Sequence, residues 1–467
     1  MKIGLIGPSY VETSLPFDAQ RSVNLYPVFD QNGGKEAAAL YGAPGLASFA
    51  TAVGQGVNRG QFPSSNGRGF AVIGATLYEI NADGSSVARG ALNSSSGIVF
   101  MDENPFQLAI CDGYYLYVLT YATNAYQQVI TPVPFSTVTF IDSFFIATAV
   151  GVAGTFYKSS AYDGLTWAAL DFATAESSPD PLVCAKNAVG QLWLQGTKTT
   201  EIWTNTGASA FPFQKISGAK MSTGILAPAT SVELDNSIFW VGQDQYGKAI
   251  VYRAKGFSAQ RISTSPIEYV LQNAPDPTNL RAFVYQHGGR TFYIITGGGM
   301  LTSFAFDISS QFWHERCYLN PQGDYEAHIG SCGMFIFGNQ LIGDRRNGNI
   351  YILSETEYTD NGEPLCRERT FTHLGDERKQ IRYNQLKLGF ETGVGTQTGQ
   401  GIDPQVSLRL SKDGARTWSN WFTKPIGKVG EYLTNVVFRR LGIAQQMTFQ
   451  IRVTDPVPVR ICGAYLQ

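Results

Sequence analysis

Two histidines and two cysteines lie close together in the second half of the 467-residue chain: His314, Cys317, His328 and Cys332. Their H-x2-C-x10-H-x3-C spacing resembles a string of zinc ligands. A strand through FWHERCYL would point His314 and Cys317 to opposite faces, because side chains alternate with period two. A strand carrying a buried cysteine is therefore expected, not a metal site. Carboxylates for glycoside hydrolysis exist at Asp102, Glu103, Glu355 and Glu357, but no spacing singles out two that would face one cleft. Neither G-x-S-x-G nor H-E-x-x-H occurs. Gly297-Gly298-Gly299 precedes neither a helix nor a lysine and reads as a turn, not a phosphate loop. No catalytic residue, metal or cofactor is expected.

The remaining candidates are basic: Arg378, Lys379, Arg382, Arg409, Arg439 and Arg440. Arginine pairs with phosphate through a fixed fork, so these positions suit contact with a polyphosphate. Alternating arginines in strands equally mark a solvated or subunit-facing surface, and non-specific binding to nucleic acid wants a denser patch. Two further segments, SAYDGLTW (Ser160–Trp167) and SKDGARTW (Ser411–Trp418), resemble the Asp-box hairpin turn of sialidases and other propellers. There Asp and Ser hold the turn and Trp packs beneath it, a structural role.

Strands must position these residues. A short aromatic or β-branched strand, a Gly, Asn or Asp turn and a second Tyr- or Phe-rich strand recur seven times, starting at Phe70, Phe106, Phe144, Leu192, Ile238, Phe292 and Phe335. The starts are 36 to 54 residues apart, the period of propeller blades, each a small sheet whose faces are covered by its neighbours. Asp83-Gly84, Asp112-Gly113, Asp163-Gly164 and Asp413-Gly414 supply tight hairpin turns. Helical signal is confined to Pro266–Asn273, with Ser265 as its cap and Pro266 in its first turn. An all-β fold follows: a six- or seven-bladed propeller-like domain, then a small C-terminal β-sandwich with strands at Val406–Ser411, Val436–Arg440 and Met447–Val453. The expected division is 1–56 as an N-terminal arm and propeller closure, 57–366 as propeller and 367–467 as a basic sandwich.

Charge supports the second boundary. Residues 1–366 hold 20 Lys/Arg and 29 Asp/Glu, whereas residues 367–467 hold 15 and 8, so a net −2 averages −9 with +7. Charged residues make up 15% of the chain and Gly 50 of 467 residues. Typical soluble proteins carry about 25% charged residues and about 7% Gly. A coiled coil, a disordered tail and a basic nucleic-acid coat are excluded. No apolar run is long enough to span a membrane and no targeting signal is read at the N-terminus. Six scattered cysteines without a C-x-x-C pair suggest free buried thiols and folding in a reducing cytoplasm.

Beyond these physical signals, RSVNLYPVFD (Arg21–Asp30) and LYGAPGLASF (Leu40–Phe49) resemble the opening of tail proteins from short-tailed bacteriophages. AESSPDPLVCAKNAVGQLWLQGTKTTEIW (Ala175–Trp203) and MSTGILAPATSVELDNSIFWVG (Met221–Gly242) are similar to the centre of their packaged-DNA stabilisation family. LRLSKDGARTWSNW, FRRLGI and FQIRVTDPVPVRICGAYL follow in that family's order. The Gly-rich stretch Gly393–Gly401 departs from its pattern and reads as a loop that is mobile or ordered by a partner.

The resemblance implies a podovirus tail hub, or nozzle. This would be a homo-hexameric ring below the portal and adaptor rings, built in the host cytoplasm and carried in the virion tail. Such a ring extends the channel for double-stranded DNA, helps retain the packaged genome, anchors tailspikes or fibres, and can be closed below by a needle or plug. An acidic propeller wall would repel DNA, and the basic end domain would face the adaptor or neighbouring subunits. A tail-associated glycosidase and a cellular propeller that binds peptides are the competing readings. Low charge itself agrees with assembly, since a subunit buried on several sides needs fewer solvated groups.

Overall fold

A computed structural model describes residues 1–30, 32, 36–175, 180–209 and 211–467. Seven sheets of antiparallel strands follow one another along the chain, each running from an inner to an outer strand. Blade 1 is Asn58–Pro63, Gly69–Ile73, Thr76–Ile80 and Ser86–Ala91; blade 2 starts at Phe100–Glu103, blade 3 at Phe135–Ile141 and blade 4 at Leu182–Ala188. In blade 5, Gly224–Ile225 and Val232–Leu234 share the inner edge of Ser237–Gln243. Blade 6 runs from Leu280–His287 to Phe312–Leu319. Blade 7 begins at Gly330–Ile336, and its outer strand is Gly45–Ala50, which pairs antiparallel with Ile350–Ser354. The ring is thus closed by a strand from near the N-terminus.

Period-two alternation explains why the blades stack. In the second strand of blade 1, Phe70 and Val72 pack with Leu108 and Ile110 of blade 2, while Ala71 and Ile73 pack with Met334, Leu341 and Ile350 of blade 7. In blade 2, Ala109 and Cys111 turn the other way, toward Phe145 and Ala147 of blade 3. Each neighbouring pair of blades encloses its own apolar cluster, and the last cluster joins blade 7 to blade 1. Burial on both faces is why these strands read as nearly continuous apolar runs.

The C-terminal sandwich has its own core, including Leu386, Leu408, Phe438, Phe449 and Ile461. One of its sheets runs Val436–Ala444, Ile381–Phe390, Arg460–Leu466, Ala38–Gly42, Leu25–Phe29. The other contains Arg367–Thr370, Gln446–Val453, Gln405–Ser411 and Phe422–Pro425. This second sheet is continuous with blade 6, because Ser22–Val23 bridges Glu315 of the outer blade strand on one side and Glu368–Arg369 on the other. Most N-terminal strands therefore belong to the sandwich sheets, and only Gly45–Ala50 enters the propeller ring.

One expectation is corrected locally. The α-helix spans Ser265–Gln272 and its N-cap is Thr264, not Ser265, with no side-chain capping bond. Its first turn is held instead by Glu268, which accepts Ser263 Oγ at 2.6 Å and pairs with Arg261. Gly297, Gly298 and Gly299 all have positive φ and form the turn between two strands of blade 6.

Candidate functional site

Three of the six basic candidates meet on the outer face of the sandwich sheet that begins with Val436–Ala444. In Ile381–Phe390, Tyr383, Leu386 and Leu388 point into the core while Arg382, Asn384 and Lys387 are exposed. In the paired strand, Val436, Phe438, Leu441 and Ala444 are buried. Arg439 and Arg440 are adjacent in sequence yet both exposed. The pairing shifts register between Tyr383 and Gln385, and Arg440 sits at φ 60, so the extra residue of a bulge turns both guanidinium groups outward. Lys387, paired directly with Val437 and two residues along the strand from Gln385, the partner of Arg439, is not signalled by the sequence and completes the face. Among the described residues none of Arg382, Lys387, Arg439 and Arg440 makes an ion pair or a side-chain hydrogen bond, so the face presents four uncompensated charges.

The other three candidates go elsewhere. Arg378, at φ 63, and Lys379 lie in the turn before Ile381–Phe390, where Lys379 pairs with Glu377 at 3.0 Å and Asp376 at 3.6 Å. Arg409 belongs to the opposite sheet. Its guanidinium lies 4.8 Å from the Trp418 ring and 4.6 Å from the Trp421 ring, and Nε donates to Gln450. Burial depresses its pKa, with Glu368 opposing. Arg409 is a packing element, a use signalled by the tryptophans three residues apart in RTWSNW. Trp418 is half-buried against Arg409, whereas Trp167 packs inside, 4.9 Å from Phe135, with Nε1 donating to Gly164 O at 2.8 Å.

A second cluster, invisible in local sequence, joins the domains. Arg316, Arg367 and Arg369 are among the largest fully buried side chains. Arg369 donates to Leu5 O, Pro8 O and Gln20 Oε1 at 2.7–2.8 Å, and burial lowers its pKa to about 10. Arg21 pairs with buried Glu315 at 2.8 Å, and Arg452 with buried Glu368 at 2.7 Å, both flanking Tyr325. Asn24, at φ 50 and fully buried, donates Nδ2 to the carbonyls of Cys317 and Cys366, both at 2.8 Å, and its Oδ1 accepts Cys317 N. The RSVN segment is thus a seam between blade 6 and the sandwich.

The groups that suggested chemistry are occupied individually. His314 is fully buried between the rings of Tyr26 and Phe292, with neither nitrogen hydrogen-bonded. Cys317 faces away from it, 3.0 Å from Thr302 Oγ1. His328 Nδ1 accepts Gly330 N at 3.0 Å, and Cys332 Sγ lies against Ser331. No group of three His, Cys, Asp or Glu among the described residues is placed to hold a metal. Asp102 accepts Thr139 Oγ1 and Phe140 N at 2.8 Å, while Glu103 accepts Ser64, Ser65 and Tyr121. Glu355 accepts Gly288 N, and Glu357 takes Thr359 Oγ1. Asp102, Glu103 and Glu355 tie neighbouring blades together, and Glu357 braces its own turn. The Gly393–Gly401 stretch is tied back by Thr396 N to Gly401 O and by Thr392 Oγ1 to Tyr432 O.

Comparison with known families gives two matches. Residues 1–358 match the family model described as bacteriophage P22 Gp10, beta-propeller, and residues 367–467 match bacteriophage P22 Gp10, beta-sandwich. Of the Ala175–Trp203 motif, residues 176–179 lie outside the described residues. No curated protein matches the chain. Among solved structures, the extracellular domain of the putative one component system BT4673 from B. thetaiotaomicron is 10% identical, with TM-score 0.46. The match covers 85% of this chain and 48% of that one, so the chain spans about half its length. The N-terminal domain of Nup159 is also 10% identical, with TM-score 0.40 over 75% of this chain and 98% of that one.

Proposed function

Since the chain belongs to the bacteriophage P22 Gp10 family across both its propeller and its sandwich, we propose that this structural phage tail protein is the hub, or nozzle, subunit of a short tail. It is a virion component and not an enzyme. In this reading six copies form a ring below the adaptor, extend the channel for the packaged DNA and carry tailspikes or fibres on their flanks, with a needle or plug below. The division into arm (1–56), propeller (57–366) and sandwich (367–467) belongs to the same proposal.

The observation that carries it, beside the family, is the uncompensated cationic face of Arg382, Lys387, Arg439 and Arg440. Four exposed charges of one sign on one sheet face are poorly suited to packing against their own chain. They are well suited to an acidic neighbour or to phosphate, which they attract over about one Debye length. The net −9 of residues 1–366 lets DNA pass the propeller without adhering. Arg378 and Lys379 flank the face, while Arg409 takes no part.

The test is ring assembly. Purified protein mixed with adaptor rings should give six-fold particles by negative-stain microscopy, and virions should contain the chain in the tail. Arg382→Glu, Arg439→Glu and Arg440→Glu together should lower incorporation into particles at least about tenfold while leaving the thermal midpoint unchanged, because surface charges away from special features change stability little. A persistent monomer that ignores the adaptor, or a triple variant that assembles and retains its genome normally, would overturn the reading.

A further inference from the structure

The propeller axis holds a cavity of about 750 Å³, and the innermost strand of every blade contributes to its wall. That volume is in the range of ligand sites. Much of the wall is apolar, with Phe62, Met101, Val232, Phe283 and Met334 among its residues. Charge on the wall is one-sided. Arg59, Lys186 and Arg281 line it, against a single carboxylate, Glu355, which sits at the rim, 69% exposed, and accepts the backbone of the blade 6 hairpin.

The three cations differ in what they have left to offer. Arg59 is spent, because its guanidinium donates to the carbonyls of Gly74, Ser94, Ser96 and Gly97 and to Ser94 Oγ. Arg281 reaches from blade 6 to the inner strand of blade 1, where Nη1 makes only two long contacts, at 3.4 Å, to Asn58 O and Arg59 O. Its remaining donors have no partner among the described residues, and it also lines the adjoining 230 Å³ cavity beside the glycine turn of blade 6. No carboxylate among the described residues pairs with it, and burial depresses its pKa. Lys186, on the inner strand of blade 4, makes no ion pair among the described residues; the buried Asp102 that feels its charge is held by Thr139, Phe140 and Glu103. In addition, both amide atoms of Gln61 on the wall are buried without a partner. A buried amide left unpaired, as at Gln61, is costly unless something pairs with it, while the half-buried Arg281 and Lys186 keep donors free to reach into the cavity.

We propose that the axial cavity binds a ligand bearing an oxyanion, phosphate or carboxylate, held by Arg281 and Lys186, with the ligand's uncharged part against the apolar wall. A free phosphate compound and an acidic segment of another tail protein share this chemistry. The site is independent of the cationic sandwich face and of the hub reading.

Calorimetric titration of the full chain with pyrophosphate, and separately with an acetylated Phe-Glu-Glu-Phe peptide, tests it at low salt. At least one probe should bind saturably at one site per chain. Pyrophosphate alone would assign the site to small phosphates, and the peptide alone to a partner's acidic segment. Arg281→Gln should weaken binding about tenfold, the loss of one charge-assisted contact, and Arg281→Lys should recover part of it. Lys186→Gln breaks no hydrogen bond seen in the structure, so it tests the site even if Arg281→Gln fails to fold; it should weaken binding severalfold. The proposal is overturned if neither probe binds the wild-type chain at millimolar concentration, or if Lys186→Gln and the folded Arg281 variants bind as tightly as wild type.

Discussion

Replacing Asn24 with leucine is expected to cost at least about 4 kcal/mol and to split unfolding of the chain into two transitions. The side chain serves four partners in a fully buried site: two carbonyls, the Cys317 amide and the Arg316 guanidinium at 3.4 Å. Leucine would leave the first three unsatisfied where water does not reach, at about 1–3 kcal/mol each. Asn24 also sits at φ 50, where a residue with a bulky Cβ substituent pays roughly 1–2 kcal/mol more. Its backbone N donates to Glu315 O and its carbonyl accepts Ala43 N, so the damage falls where blade 6 meets the sandwich. Asn24→Gly keeps the backbone angle and should recover about 1 kcal/mol of the loss. Guanidinium melts followed by tryptophan fluorescence would read both values. A cost below about 1.5 kcal/mol for Asn24→Leu would show that the seam is held elsewhere.

That seam shows where sequence reasoning stops. Six of the seven repeats picked from aromatic spacing begin at or beside the second strand of a blade, such as Phe144 at the start of Phe144–Ala149. Those strands are buried on both faces and therefore carry the strongest apolar signal. The seventh, at Phe335, begins one strand earlier, inside Gly330–Ile336. Blade number stayed open between six and seven because closure depends on Gly45–Ala50 pairing with Ile350–Ser354, a contact between opposite ends of the propeller that no local pattern announces. The buried arginines were hidden for a related reason: Arg369 looks like any strand arginine, while its acceptors, Leu5 O and Pro8 O, lie more than 360 residues away. The Arg439-Arg440 pair did carry a usable signal. Two adjacent charges interrupt an in–out alternation, which is what a bulge does to a strand. Arg409 carries the same charge in the same kind of strand, and only the nearby tryptophans distinguish it.

His314→Phe should flatten the acid limb of the stability profile and raise stability at neutral pH. Burial holds the imidazole neutral and lowers its pKa from 6.5 to about 3, with the nearby Arg316 charge adding to the effect. A histidine depressed in the folded state binds fewer protons there than in the unfolded chain. Its share of stability is therefore complete above pH 6.5 and is lost as pH falls toward 3, at about 1.4 kcal/mol per pH unit and about 5 kcal/mol across the window. His328, buried nearby, is depressed for the same first reason and acts in the same direction. Asp360 opposes them. Both of its oxygens are buried without a partner, and desolvation raises its pKa from 3.8 to about 6 despite Arg316 and Arg367, so it favours folding increasingly as pH drops from 6 to 3.8. Phenylalanine at 314 would keep the ring contacts with Tyr26 and Phe292, at 5.9 and 5.6 Å, and remove two nitrogens that lack partners, for a gain of about 1–3 kcal/mol at pH 7.5. Denaturation midpoints measured from pH 7.5 down to 4.5 should show the variant losing about one proton's worth of slope, while Asp360→Asn steepens the wild-type decline below pH 6. If His314→Phe leaves the slope unchanged, the buried imidazole is not what makes the fold acid-sensitive.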